Sequence, residues 1–299
     1  MRTETTAQPL ALAVKVLEMS EDVPPGSMVP PLLLHEMQML ASMQRHPNLV
    51  ACHGLCRLDG RLLGGSLTPR WGLVMDFCPG GDLFSMIEKS LLTEARTVEI
   101  TSALLSGLAH IHAQGIVHRD VKPENVLFAR DGKAVLVDFG VAAHMDDHIE
   151  MARKVGSLGY CAPEIITNTA YDEKVDCFSV GVTLFFMLYG RRPFTGKDTS
   201  ETAQNTVGAR VRFSSFCHRF PVSGDGYKVL IRGLLQKTGE RRPTAEQALG
   251  HPWLTFQAIG EDYDDAPSTL LLPRLCHHSS DANDDPRTPR HRLSRVVRL

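Results

Sequence analysis

No C-x-x-C pair occurs among the seven cysteines of this 299-residue sequence (Cys52, Cys56, Cys78, Cys161, Cys177, Cys217 and Cys276), so zinc ribbons and thioredoxin-like redox motifs find no support. Scattered and odd in number, these cysteines read as reduced thiols of an intracellular, cytoplasmic protein. The opening MRTETTAQPL has no basic stretch followed by an apolar one, and no signal peptide is expected. Long hydrophobic runs are missing as well. The greasiest, Val180 to Tyr189, includes Gly181 and Thr183 and is far short of the roughly twenty residues of a membrane span; it reads as a buried core helix, and no membrane partner is expected. An excess of one charge is also lacking: a formal net charge of -2 creates no field toward nucleic acid, which is not expected as a partner. There is no internal repeat.

What is present is ordinary for a globular chain, with 43% hydrophobic and 22% charged residues. Leu10 to Leu17 is β-prone and reads as a strand. The proline-rich Glu21 to Pro31 is a connection. Leu32 to Gln44 carries Leu33, Met37, Leu40 and Met43 at helical spacing. Strands are expected near Leu49 to Arg57 and Trp71 to Phe77, with a glycine-containing loop between them. Beyond Pro79-Gly80-Gly81 the texture becomes helical. Thr93 is placed to cap a long helix striped by Leu104, Leu105, Leu108 and Ile111. Further helices are expected over Asp172 to Tyr189, Tyr227 to Gln236 and Thr244 to Leu249. A small β-rich part followed by a larger helical part makes the fold class α+β.

Three segments carry the chemistry. His118 to Asn125 reads HRDVKPEN; thirteen residues past Asn125 comes Asp138-Phe139-Gly140; and Gly156 to Glu164 reads GSLGYCAPE. In this order and spacing they resemble the catalytic loop, the DFG motif and the APE segment of eukaryotic-type serine/threonine protein kinases. The resemblance covers residues 8 to 255 and is greatest to the calcium/calmodulin-dependent kinase group, through PGGDLF at Pro79 and HPWL at His251. It implies a bilobal protein-kinase-like fold, with a truncated β-rich N-lobe over 1–78 and a mainly helical C-lobe over 79–256; the acidic, Ser/Asp/Asn-rich and then arginine-spaced composition of 257–299 reads as a tail that is disordered or only locally helical.

The resemblance also implies an activity: transfer of the γ-phosphoryl group of ATP, with Mg²⁺, to Ser or Thr hydroxyls of protein substrates. Phosphoryl transfer needs an aligned nucleophile and neutralised phosphates, and hard Mg²⁺ takes oxygen ligands. By resemblance Asp120 orients the substrate hydroxyl and Lys122 neutralises the γ-phosphate. Asn125 and Asp138 hold the metal. Lys15, in Ala13-Val14-Lys15, holds the α- and β-phosphates and pairs with Glu36. Met75 takes the gatekeeper position, with Asp76, Phe77 and Cys78 as the hinge against adenine, Ala13 above the ring and Leu127 below it. Asp176 anchors the catalytic loop, Glu164 pairs with Arg242, and Leu40, Cys52, His118 and Phe139 stack between the lobes. Ser/Thr preference follows from the KPEN form of the loop and from Ser157. Asp82 and Glu124 fall where arginines upstream of the acceptor are met in related kinases; solvated surface carboxylates are the alternative.

Two departures from the family pattern stand out. Only fourteen residues precede Lys15 and none is glycine, so the Gly-x-Gly-x-x-Gly loop expected before that lysine is not found. The chain is then a piece or a late start of a longer kinase, a natural variant of weak activity, or a catalytically inactive scaffold or allosteric partner. The intact set of Lys15, Asp120, Lys122, Asn125 and Asp138 argues against the last. Second, Val141 to Gly156 contains no Ser, Thr or Tyr, so no phosphate can be added there to pair with Arg119. Asp146, Asp147 and Glu150 are the candidates for a fixed charge in its place. The arginine-spaced end, RTPRHRLSRVVRL, offers a calmodulin-type or autoinhibitory segment, but its few large apolar residues and short length favour a solvated tail.

Overall fold

The computed structural model of the protein describes residues 11–16, 29–58, 70–213 and 219–255. Most of the expected connection over 21–31, nearly all of the glycine-containing loop and the whole tail over 257–299 lie outside the described residues, so the calmodulin and autoinhibition readings find no test here.

The first part runs strand, helix, strand, strand, as the periodicity predicts: β1 (Leu12–Val16), α1 (Pro31–Ser42), β2 (Cys52–Leu58) and β3 (Arg70–Asp76). The three strands form an antiparallel sheet in the order β1-β3-β2. Period-two alternation sorts β1 cleanly. Val14 and Val16 pack with Leu58 on one face, which turns Ala13 and Lys15 to the other. Pro31 opens α1, where its missing N–H costs nothing. The buried face of α1 is Leu33, Glu36, Met39 and Leu40; Met37 and Met43, expected in that stripe, are only partly buried. The helix is thus rotated to carry a carboxylate inward.

The remainder is mainly helical. In chain order come α2 (Leu83–Glu88), α3 (Glu94–His112), β4 (Ile116–Val117), β5 (Val126–Phe128), β6 (Ala134–Leu136), β7 (Ala143–His144), α4 (His148–Met151), α5 (Pro163–Thr167), α6 (Lys174–Tyr189), α7 (Thr199–Gly208), α8 (Gly226–Leu234), α9 (Ala245–Leu249) and α10 (Pro252–Thr255). Thr93 caps α3 by accepting from the Arg96 N–H at 3.2 Å, and its predicted leucine stripe is buried. In α6 every residue but Lys174 is buried. Short β4–β7 and β5–β6 pairs lie on this helical base and hold the loops described next. Among the described residues no helix is long and apolar enough to cross a membrane.

Candidate active site

Lys15 reaches inward from β1 to two carboxylates. Its Nζ lies 2.7 Å from Glu36 Oε2 on α1 and 2.7 Å from Asp138 Oδ1. Lys15 and Glu36 are almost fully buried. Burial alone would lower the lysine pKa, but the Glu36 and Asp138 carboxylates outweigh it and hold the ammonium above its ordinary value. Burial pushes the Glu36 carboxyl up against the pull of Lys15. The Lys15–Glu36 pair expected from the sequence is therefore present, and Asp138 closes it into a triad that spacing alone did not reveal. Asp138 itself has φ +64°, in the left-handed region that a non-glycine residue enters only under constraint.

The catalytic-type loop rests on α6. The Asp176 carboxylate, with no exposure, accepts the main-chain N–H groups of His118 and Arg119, both at 2.8 Å, and is 2.9 Å from His112 Nε2. Burial would raise its pKa, but the His112 hydrogen bond and charge, with His118, hold it below the usual carboxylate range. The loop it holds is strained, since Arg119 has φ +67°. His118 Nε2 lies 3.0 Å from the Val137 carbonyl, and its ring meets that of Phe139 edge-on at 4.7 Å. These two are fully buried, Leu40 is buried and Cys52 is partly buried.

Above this base, Asp120, Lys122 and Asn125 converge. Lys122 Nζ donates to Asp120 Oδ2 at 2.7 Å and to Ser157 Oγ at 2.6 Å. Asn125 Nδ2 donates to the Asp120 carbonyl at 2.9 Å and to Oδ2 at 3.1 Å. Asp120 Oδ1 is buried with no partner. An orphaned carboxylate oxygen beside a bound ammonium is costly unless something donates to it, and a hydroxyl entering from the cleft is such a donor. Asn125 spends its amide N–H on Asp120, which leaves its oxygen for a hard cation. Among the described residues no three His, Cys, Asp or Glu side chains form a ready-made metal cage. Asp138 with Asn125 therefore fits a cation that takes much of its coordination from phosphate oxygens, as Mg²⁺ does.

On the sheet, Ala13 lies opposite Met75 across β1 and β3, and Met75 lies opposite Cys52 across β3 and β2. Met75 is buried, and Ala13 and Leu127 are half-buried. The Cys78 main chain enters no hydrogen bond among the described residues, which leaves its polar groups open to a ligand edge. Burial pushes its thiol up to about 11. Asp76 is exposed and its Oδ1 sits 2.7 Å from His53 Nε2; a bulge in β2 between Cys52 and Gly54 aims His53 there. A cavity of about 760 Å³ lies beside Asp76 and Cys78 against Leu40, Leu49, Cys52 and Val135, and its lining includes neither Lys15 nor Asp138.

Arg119 reaches the segment that follows Phe139-Gly140. It donates to the Val141 carbonyl at 2.6 Å, to the Glu150 carbonyl, and to the Tyr171 hydroxyl at 3.2 Å, and lies 3.4 Å from Glu150 Oε2. Of the three expected stand-in acids only Glu150 meets it. Asp147 is used as the cap of α4, accepting from the Glu150 N–H at 3.0 Å. Gly156, at φ +96°, has the Arg119 carbonyl 2.5 Å from where a Cβ would sit, so this segment touches the catalytic loop through a position that only glycine fits. The expected Arg242–Glu164 pair is bidentate, at 2.7 and 3.2 Å, with the arginine buried and the glutamate partly so. Asp82 caps α2 through the Ser85 N–H at 2.6 Å, whereas Glu124 is exposed as a residue but has a partly buried carboxyl, which burial pushes above its ordinary value. His112, Tyr171 and Arg192 contribute to this region without having been singled out from the sequence; each is an isolated polar residue whose role depends on long-range contact.

The comparison with known proteins agrees with this geometry. The profile described as "Protein kinase domain" matches residues 3–254, and the chain belongs to the protein kinase family. A protein named "Probable myosin light chain kinase" from Dictyostelium discoideum is 34% identical over 76% of the chain and 44% of its own length. "Serine/threonine-protein kinase AtPK2/AtPK19" of Arabidopsis thaliana is 36% identical over 62% of the chain and 39% of its own length. "Calcium/calmodulin-dependent protein kinase type 1" of Macrobrachium nipponense is 34% identical over 64% of the chain and 55% of its own length. The chain thus spans about half the length, or less, of these relatives.

Proposed function

We propose that this chain transfers the γ-phosphoryl group of ATP to Ser or Thr hydroxyls of proteins. The observation that carries the reading is the buried, unpartnered Asp120 Oδ1 beside Lys122. Asp120 accepts and orients the substrate hydroxyl. Lys122, already bridging Asp120 and Ser157, offers its charge to the γ-phosphate and ties the peptide-facing segment to the reacting group. Lys15 is aimed at the α- and β-phosphates by Glu36. Met75, Asp76, Cys78, Ala13 and Leu127 form the adenine site, with the Cys78 main chain as its polar edge. Asp138 and Asn125 supply oxygen ligands for Mg²⁺, which when bound neutralises the phosphate charge. Free thiols at Cys52, Cys56, Cys78, Cys161 and Cys177 and the use of ATP support an intracellular, cytoplasmic setting.

Glu124 supports a preference for arginine upstream of the acceptor; Asp82, engaged as a helix cap, supports it less. A calmodulin-type regulator rests on one relative's name and on the tail outside the described residues. The test is Mg·ATP binding and γ-phosphate transfer to a Ser peptide, with Asp138→Asn and Asp120→Asn as controls. Transfer lost in both variants is the expected outcome. Binding of nucleotide by a folded wild type without transfer to any peptide would replace this reading with that of a non-catalytic scaffold.

A further inference from the structure

Arg192 follows α6 in the run Gly190-Arg191-Arg192-Pro193. Its side chain folds back over the segment that carries Ser157. Nη1 donates to the Leu158 carbonyl at 3.3 Å, and the guanidinium lies 5.7 Å from the centre of the Tyr160 ring. It lies against Gly159, whose φ of +92° and lack of a side chain leave the space open. These contacts occupy one of the five N–H donors of a guanidinium. Among the described residues no carboxylate is ion-paired with it. Its neighbour differs: Arg191 stacks over Phe185 at 5.6 Å.

The position is close to the chemistry. Ser157, one residue before Leu158, is bonded to Lys122, and Lys122 to Asp120. Tyr160 is raised first by burial and then by Glu124, with Arg192 opposing and Asp120 adding to the rise. Glu124 in turn feels Arg192 as one of its cationic neighbours, after burial and Lys122. A half-buried guanidinium with most of its donors unspent therefore lies near enough to the partly buried carboxyl of Glu124 for each to feel the other's charge. In the empty protein each moderates the other; a peptide laid across them meets one positive and one negative anchor.

We infer that Arg192 is a specificity-determining residue, which receives an anionic side chain of the protein substrate, a carboxylate or a phosphoserine, within a few residues of the acceptor hydroxyl. The planar fork of Arg192 matches either anion in two parallel hydrogen bonds. This inference rests on the kinase reading above and adds a substrate class to it: peptides with an acidic residue for Arg192, alone or together with a basic one for Glu124. Arg192 binds and orients; it takes no part in proton or phosphoryl transfer.

The test uses the full chain and Ser peptides in which each position from five before to five after the acceptor is, in turn, Ala, Asp, phosphoserine or Arg. Wild type, Arg192→Gln and Arg192→Glu are compared, with their melting temperatures confirming folding. At one position Asp and phosphoserine are expected to lower KM about tenfold in the wild type with kcat unchanged, as for one charge-assisted contact made equally in ground and transition states. Arg192→Gln loses that gain, and Arg192→Glu transfers it to Arg at the same position. A larger gain for phosphoserine than for Asp identifies a pre-phosphorylated substrate; equal gains identify an acidic one. Identical position preferences in all three proteins, or no acidic preference in the wild type, would overturn the inference and leave a solvated arginine. If the wild type phosphorylates no peptide, the kinase reading fails separately, and binding of the same labelled peptides by fluorescence anisotropy, with the same charge swap, decides the role of Arg192.

Discussion

Asp176→Asn takes one acceptor oxygen from a carboxylate that is fully buried and receives His118 N–H, Arg119 N–H and His112 Nε2. The carboxamide can keep its oxygen toward His118 and His112, but its NH₂ then faces the Arg119 N–H, donor against donor. A buried donor left unpaired costs about 1–3 kcal/mol, and the surviving bonds lose their charge assistance. Part of the loss returns, because Arg119 sits at φ +67°, a conformation costing about 1–2 kcal/mol that it can now leave. A net destabilisation of about 2–3 kcal/mol follows, which at about 2–4 °C per kcal/mol lowers the melting temperature by roughly 4–12 °C. Catalysis suffers more, since the relaxed loop moves Asp120, and a displacement near 1 Å costs about a hundredfold in rate. Differential scanning fluorimetry and peptide phosphorylation measure the two effects. The pH dependence supplies a further check. The carboxyl of Asp176 is held below its ordinary value in the folded protein, so its stabilisation is complete above the unfolded value of about 3.9 and is lost as pH falls through the lower folded value. The gap between wild type and variant is therefore constant near neutral pH and narrows below about pH 4. A variant melting within about 1 °C of the wild type, with transfer within about twofold, would refute the view that Asp176 holds the loop in its strained form.

Lys15→Met leaves Glu36 and Asp138 without their shared cation and is expected to cost about 3–5 kcal/mol in urea unfolding, with part regained when Glu36→Gln is added; a second substitution that only adds to the loss would contradict the triad. Glu150→Gln removes the carboxylate that meets Arg119 and is expected to lower transfer severalfold, while phosphatase treatment of the wild type changes nothing, since residues 141–156 hold no hydroxyl. Asp146→Ala is expected to be neutral in the same assay, and Asp147→Ala to cost about 1 kcal/mol as a lost helix cap; equal effects of all three acids on activity would point to bulk charge in place of the Glu150 contact.

The kinase motifs were legible because each is a contiguous run: HRDVKPEN, DFG and the APE segment name Asp120, Lys122, Asn125 and Asp138 without any structure; Asp120, Lys122 and Asn125 meet one another, and Asp138 meets Lys15. The long helix α3 was legible from leucine spacing and from its cap, Thr93. Other features were not. Helix α2 has six residues and α4 has four, too short for any periodicity to register. On α1 the apolar spacing picked out Leu33, Met37, Leu40 and Met43, which all pack on the core, but it carries no sign of the buried charged residue Glu36, which only the resemblance supplied. The division of labour among Asp146, Asp147 and Glu150 depends on where Arg119 points, which no local pattern encodes. Arg192 escaped notice for the same reason: its significance lies in Gly159 and Tyr160, thirty residues earlier in the chain.

Helix α6 has a consequence for how the protein comes into being. Its sequence is apolar on all sides because α3 and α8, among other elements, surround it. The partner α8 ends at Leu234, 45 residues after Tyr189, and at about 5–20 residues per second the ribosome needs roughly 2–9 s to deliver it. For that interval the helix that will carry Asp176 has no cover on one side. The element that fixes the catalytic loop in the finished protein is thus an aggregation-prone segment of the nascent chain until α8 arrives, and any fragment cut between residues 189 and 234 carries the same exposed surface permanently.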